Sequence, residues 1–236
     1  MRPPTCAICD QPCQTETGLI QFSDYTPLPD GVCGHPDGLE WFCEAHGQMA
    51  YSLRTLTVRE ALDQLSIPVF SQEKGRRLID RAKHFAIQAH GDQKYGSNPY
   101  AYHLQKVVDV LDRFGFTDPR FTAAAWLHDT LEDTAITVEE LTESFGQEVS
   151  ALVDALTDGA GSDRATRKAR TYQLIPKILG AEVVKVSDRI ANVEESLMTQ
   201  GSHLKRYQAE HDTFSTRLNS GAFPVLWSHL DQLLKN

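Results

Sequence analysis

The hydrophobic and polar positions of this chain divide it into two unlike stretches. From Ser71 onward, apolar residues recur at helical spacing. Between Glu73 and His90 they fall at Leu78, Ile79, Ala82, Phe85, Ala86 and Ala89, and Gly91 supplies a C-cap. The same spacing predicts helices from about Tyr102 to Phe114, Pro119 to Glu132, Gln147 to Leu156, Arg164 to Leu179 and Ala181 to Met198. A final pair runs toward Leu234. Thr137-Val138-Glu139-Glu140 reads as a capping box that opens a further short helix. Pro176 and Gly180 kink or divide the stretch before Ala181. The region to about residue 50 is different: it is rich in Pro and Gly and has little helical period, and a short helix follows from about Thr57 to Leu65. The shift places a boundary near Ser66-Ile67-Pro68. The expected organisation is mainly α, with a small irregular module (residues 1–66) before a helical bundle (67–236).

Length and composition narrow the class. The 236 residues are enough for one sizeable core plus a small module, and 41% hydrophobic with 23% charged residues suits a soluble globular protein. No apolar run approaches the roughly 20 residues that span a bilayer. Met1-Arg2-Pro3-Pro4-Thr5-Cys6 lacks an apolar signal core, so the cytosol is the expected compartment. A net charge of −9 argues against a general nucleic-acid binder. One basic run stands out against it: Arg164, Arg167, Lys168 and Arg170, the first three on a shared helical face. It reads either as a solvated helix surface or as a clamp for a small, highly charged phosphate ligand.

All five cysteines, Cys6, Cys9, Cys13, Cys33 and Cys43, lie in the first 43 residues. Cys6-x2-Cys9 and Cys43-x2-His46 form two knuckles, a four-ligand set suited to tetrahedral structural Zn2+. A segment with few large apolar residues needs such a staple to fold. Cys13, Cys33 and His35 are left over, as replacements for one of the four or as parts of a second site. The competing reading is reduced cysteines packed as small hydrophobes.

A second set of metal-ligand residue types spreads through the helical part: His103, His128-Asp129 and Asp188. If the predicted helix runs through to Glu132, then His128 and Glu132, and Asp129 and Asp133, lie one above the other on one face. The surrounding Ala123-Ala124-Ala125-Trp126-Leu127 and Leu131 are apolar, and buried carboxylates need a compensating cation. Two imidazoles and two carboxylates make a shell suited to manganese, iron or zinc rather than calcium.

These residues carry a family resemblance. His103…His128-Asp129…Asp188 resembles the ligand signature of the HD-domain metal-dependent phosphohydrolases. Within them the chain resembles the alarmone hydrolases: the hydrolase domain of RelA/SpoT proteins and the small stand-alone Mesh1 type. Ala124 to Thr134 matches the family's most specific string nearly throughout. His90-Gly91-Asp92-Gln93-Lys94, Pro99-Tyr100-Ala101-Tyr102-His103, Phe145-Gly146, Leu156-Thr157-Asp158 and Lys185 to Asn192 recur as well. The resemblance spans about residues 71–218 and leaves out the cysteine-rich start. Leu104 stands where the family has proline, and the loop at Lys94-Tyr95 holds fewer basic residues than usual.

The resemblance implies an HD-domain bundle that hydrolyses the 3′-pyrophosphate of guanosine alarmones (ppGpp and pppGpp). It implies Mn2+ or another divalent ion held by His103, His128, Asp129 and Asp188, with catalytic roles for Glu132 and Asp133. Lys94, Arg164 and Lys168 are then the phosphate contacts, Tyr95 a base-stacking residue, Asn192 a nucleotide contact, and Arg206 and Tyr207 closing groups. Two alternatives stay open: the same chemistry on another nucleotide (ppApp or the 2′-phosphate of NADPH), or a regulatory module in which the zinc segment docks a partner.

Overall fold

Along Leu19–Thr26 the side chains alternate, with Ile20 and Phe22 turned inward and Gln21 outward. In the computed structural model, which describes residues 4–9, 11–13, 18–65, 72–201 and 203–235, this stretch is strand β1. It pairs antiparallel with β2 (Asp37–Trp41), Leu19 opposite Trp41 and Thr26 opposite Asp37, with a register shift between. The helices α1 (Glu44–Ser52) and α2 (Val58–Leu65) follow. Thr57 and Glu60 cap α2 reciprocally, at 2.9 and 3.3 Å. Phe22 meets Phe42 edge-on at 6.0 Å, and Ala50, Leu53 and Ala61 complete a small core. The module expected to be irregular therefore contains a hairpin and an extra helix. Its alternating positions are too few to stand out among the prolines and glycines.

The chain divides into two units, Met1–Val69 with Ser220–Ala222, and Phe70–Asn219 with Phe223–Asn236. The boundary read from Ser66-Ile67-Pro68 lies outside the described residues.

The second unit is built of helices. They are α3 (Gln72–His90), α4 (Ala101–Arg113), α5 (Pro119–Leu127), α6 (Thr130–Asp133), α7 (Val138–Phe145) and α8 (Gln147–Leu156). After them come α9 (Arg164–Leu174), α10 (Ala181–Met198), α11 (His203–Leu218) and α12 (Pro224–Leu233). A two-residue hairpin, β3 (Lys94–Tyr95) with β4 (Asn98–Pro99), joins α3 to α4. Gly91 ends α3 at φ +50°, and the Thr137–Glu140 capping box forms. The core lies where α5 packs on α3 and α4 and where α10 packs on α4, α11 and α12. Every residue of α5 from Phe121 to Leu127 is buried, as are Val183, Val184, Val186, Ile190 and Val193 of α10. Among the described residues no helix is long and apolar enough to cross a membrane.

Two predicted helices are divided. The stretch from Arg164 to Leu179 stops at Leu174, passes through a 3-10 turn at Ile175–Lys177 that holds Pro176, and breaks before α10. Gly180 sits there at φ +82°, and a Cβ would meet the Phe121 ring at 2.1 Å, so only glycine fits. The other division is between α5 and α6. Thr130 Oγ1 donates to the Leu127 carbonyl at 2.6 Å, using the acceptor that a continuing helix would bond, and Asp129 takes ψ −1°. His128 and Asp129 therefore lie in a turn. The expectation that His128, Asp129, Glu132 and Asp133 share one face of one helix does not hold.

Candidate active site

Three elements carry the second unit's metal-type residues to one point. His103 enters from the first turn of α4, His128 and Asp129 from the turn after α5, and Asp188 from the middle of α10. One ligand atom each of His103, His128 and Asp188 lies within 4.8 Å of the others. His103 Nε2 is 3.3 Å from Asp188 Oδ1 and 3.6 Å from Asp129 Oδ2. His128 Nε2 is 2.9 Å from Asp129 Oδ2 and 3.7 Å from Asp188 Oδ1. Both imidazoles are buried.

The donor set suits a divalent cation. His128 Nδ1 donates to the Ala125 carbonyl at 2.9 Å, which turns Nε2 toward the carboxylates. That buried nitrogen has no hydrogen-bond partner and faces two carboxylates. Burial lowers the pKa of His128, but Asp129 and Asp188 overcome it and hold it well above the usual imidazole range. The two aspartates, pushed up by burial, are drawn further down by the imidazoles. The carboxylates thus call for positive charge at the His128 nitrogen, the place a metal ion would take.

Residues around this centre fix its parts. Tyr100 donates its hydroxyl to Asp129 Oδ2 at 2.6 Å and stacks on His90 with ring centroids 4.4 Å apart. His90 Nδ1 is 2.8 Å from Gln93 Oε1, and Gln93 Nε2 donates to Asp133 Oδ2 at 2.8 Å. Asn192 donates to Asp188 Oδ1 at 2.6 Å and accepts from the Tyr95 hydroxyl at 2.9 Å. Tyr95 lies flat against His103 at 4.7 Å, so one face of the ring expected to stack on a base is already covered. Lys94 is exposed on the same short hairpin. Tyr100, His90 and Gln93 belong to the quoted motifs, but their spacing alone gave them no role.

Glu132 accepts the Asp158 amide hydrogen at 2.6 Å. Protein packed around its carboxyl raises its pKa; Lys185 pulls the other way, and Asp129 and Asp158 add to the rise. A carboxyl so tuned can take up and release a proton nearer neutrality than an ordinary glutamate.

The basic run is split by the fold. Arg170 serves the end of α8, with Nη2 2.6 Å from Asp154 Oδ2. Arg164 and Lys168 turn instead to Glu210 of α11, at 2.6 and 2.9 Å, and Arg189 of α10 joins them at 3.3 Å. Tyr207 is buried beneath the Arg189 guanidinium, 4.7 Å from ring centre, while Arg206 is exposed. Sequence reasoning missed Glu210 and Arg189. Glu210 sits in no motif, and its only signal is its place one turn after Tyr207.

In the first unit, Cys6, Cys9, Cys43 and His46 bring one ligand atom each within 4.8 Å of the others. The Cys6 amide donates to Gln11 and the Ala7 amide to Trp41 of β2, which carries the first knuckle to the second. Cys43 caps α1 and His46 follows one turn in. Cys9 Sγ to Cys43 Sγ is 3.8 Å and Cys6 Sγ to His46 Nδ1 is 3.6 Å. Tetrahedral zinc with Zn–S of about 2.3 Å separates its ligand atoms by about 3.5–3.8 Å. Cys13 is buried apart from this set, Cys33 is exposed, and His35 lies 3.7 Å from Glu40.

Comparison with known proteins agrees with the helical unit. The HD-domain family matches residues 82–214. The GTP pyrophosphokinase rsh of Brucella ovis is 30% identical over 155 residues, 62% of this chain and 20% of that protein, so this chain spans only a small part of it. The guanosine-3′,5′-bis(diphosphate) 3′-pyrophosphohydrolase MESH1 of Xenopus tropicalis is 34% identical over 123 residues, 50% of this chain and 69% of that protein. A solved structure of a metazoan ortholog of SpoT that hydrolyses ppGpp shares the fold, with a TM-score of 0.53 and 22% identity over 72% of this chain and 97% of that one. HD-domain hydrolases of this kind are metal-dependent. With His103, His128 and Asp188 brought to one point and Asp129 beside both imidazoles, this chain belongs to the HD-domain family, in the group that includes MESH1.

Proposed function

We propose that the helical unit hydrolyses the 3′-pyrophosphate of a guanosine alarmone, ppGpp or pppGpp, releasing pyrophosphate and leaving GDP or GTP. The observation that carries this reading is the convergence of His103, His128, Asp129 and Asp188 around the unpartnered His128 Nε2, in a chain similar to MESH1. These four residues would hold the divalent ion, with Mn2+ the ion we favour for the mixed nitrogen and oxygen shell. When bound, the ion lowers the pKa of water and polarises a phosphoryl oxygen.

The chain's own residues supply the rest. Glu132, with its raised pKa, takes the proton of the attacking water, and Asp133, held by Gln93, orients that water. Water adds to the phosphorus next to the ribose 3′ oxygen, and that oxygen leaves and takes a proton. Arg164 and Lys168 bind the departing pyrophosphate, with exposed Lys94 a further phosphate contact. Asn192 fixes Asp188 and Tyr95, which borders the nucleoside. Arg206 and Tyr207 close the site from α11. In the first unit, Cys6, Cys9, Cys43 and His46 hold a structural Zn2+. Among the described residues the five cysteines form no disulfide, and a reduced set suits the cytosol.

The test is to incubate the protein with Mn2+ and ppGpp, pppGpp, ppApp or NADPH and identify the products. Pyrophosphate release from ppGpp or pppGpp is expected; release from neither overturns the reading. Asp129→Ala is expected to be inactive, and retained activity overturns the ligand assignment.

A further inference from the structure

Glu210 is surrounded by more positive charge than one carboxylate can balance. Its Oε1 receives Arg164 Nε at 2.6 Å, and its Oε2 receives Lys168 Nζ at 2.9 Å and Arg189 Nη2 at 3.3 Å. Three cations from three positions on α9 and α10 share one anion from α11. The excess shows in Lys168: burial and the nearby Arg189 pull it down to about 8 even though Glu210 touches it. Arg189 is nine-tenths buried, and its Nη1 has no hydrogen-bond partner. A buried guanidinium nitrogen left unbonded, beside two further cations, is a place for additional acceptor oxygens.

The cluster borders the active site. Arg189 follows Asp188 on α10. Arg164 is coupled electrostatically to Asp158, whose amide bonds Glu132. The Glu210 side chain is itself 22% exposed, so a ligand from solvent can reach it.

We infer that Glu210 is a built-in stand-in for the substrate's phosphates: its carboxylate occupies the cations Arg164, Lys168 and Arg189 until an oligophosphate displaces it. The inference rests on the proposal that the ligand is a pyrophosphorylated nucleotide. Its physical content is a competition. An incoming anion gains only to the extent that it brings more negative charge and more acceptor oxygens than the carboxylate it displaces. A single carboxylate or a monoanion gains nothing, whereas a pyrophosphate group offers at least two charges and several acceptor oxygens. Glu210 therefore sets a threshold of ligand charge and acts as a specificity-determining residue rather than a catalytic one.

The test measures binding of inorganic pyrophosphate to the full chain, loaded with Mn2+, by titration calorimetry. Glu210→Gln keeps the shape and a hydrogen-bonding oxygen but removes the competing charge. It is expected to bind pyrophosphate about tenfold tighter than the unaltered protein. A gain above about threefold supports the inference, and equal or weaker binding overturns it, because a merely structural strut would not improve affinity when weakened. Should Glu210→Gln fail to fold, Glu210→Ala, which also removes the competing charge, is judged by the same threshold. The double variant Arg164→Gln/Glu210→Gln is expected to lose the gain; if the gain persists, it arises elsewhere and the inference falls. Alarmone hydrolysis is not the readout. A protein that binds pyrophosphate as expected but releases none from ppGpp would sink the proposed activity and leave the role of Glu210 standing.

Discussion

Each unit gathers ligand-type residues at a point, four in the first and three with Asp129 beside them in the second, and the two do it by opposite means. In the first unit the ligands come from a knuckle at Cys6 and Cys9 and the start of α1, elements of a few residues each, over a core of little more than Ile20, Phe22, Phe42, Ala50, Leu53 and Ala61. In the second unit the ligands are separated by up to 85 residues of sequence, from His103 to Asp188, and ride on α4, the turn after α5 and α10, each buried along much of its length. A small core needs the ligand cross-link to hold its shape, whereas a large one builds the site before any ion arrives. On the proposed function, the same donor chemistry serves structure in one place and reaction in the other.

Removing the metal separates the two most sharply. Cys43→Ala is expected to unfold the first unit, since structural zinc contributes on the order of 10 kcal/mol to such small modules. Hydrogen exchange should show β1 and β2 losing protection while α3 to α10 keep theirs. If β1 and β2 stay protected, the cysteine set is not what holds that unit. Glu132→Gln carries the next effect: a loss of about 10²–10⁴-fold in kcat with the fold intact, the range for removing a general base. Full activity would move the proton-transfer role elsewhere, with Asp133 the nearest candidate. Tyr100→Phe comes third. It removes the 2.6 Å bond to Asp129 but no ligand, and a loss of about 10–100-fold in activity or metal affinity is expected. An unchanged enzyme would mean that Asp129 is oriented by its turn alone.

The two units were also unequally legible. Long amphipathic periods announced α3, α4, α8 and α10 nearly to the residue, because each buries one face against a large core. The β1–β2 hairpin was hidden, because Ile20 and Phe22 alternate over too short a run. The break at His128-Asp129 was hidden for another reason: Thr130 turns its hydroxyl back on the Leu127 carbonyl, a side-chain choice that the apolar spacing does not record. The ligand types were readable because metal binding restricts residue chemistry. Glu210 was not, since a counter-ion needs only a carboxylate within reach, and reach is set by how α11 lies on α9 and α10.

The smallest effect is a pH dependence. Lys168 stands at about 8 because burial and the charges of Arg189 and Arg164 outweigh Glu210. Phosphate binding requires the ammonium form, so kcat/KM should be level below about pH 8 and fall as pH rises through it, by at most about tenfold per pH unit. The free protein's groups govern kcat/KM, so kcat at saturating substrate should be affected less, because bound phosphate raises the lysine again. Lys168→Arg keeps the charge at all accessible pH and should flatten the alkaline limb. If that limb stays in the Lys168→Arg enzyme, the titrating group lies elsewhere and the cluster does not meet the substrate as a charged clamp.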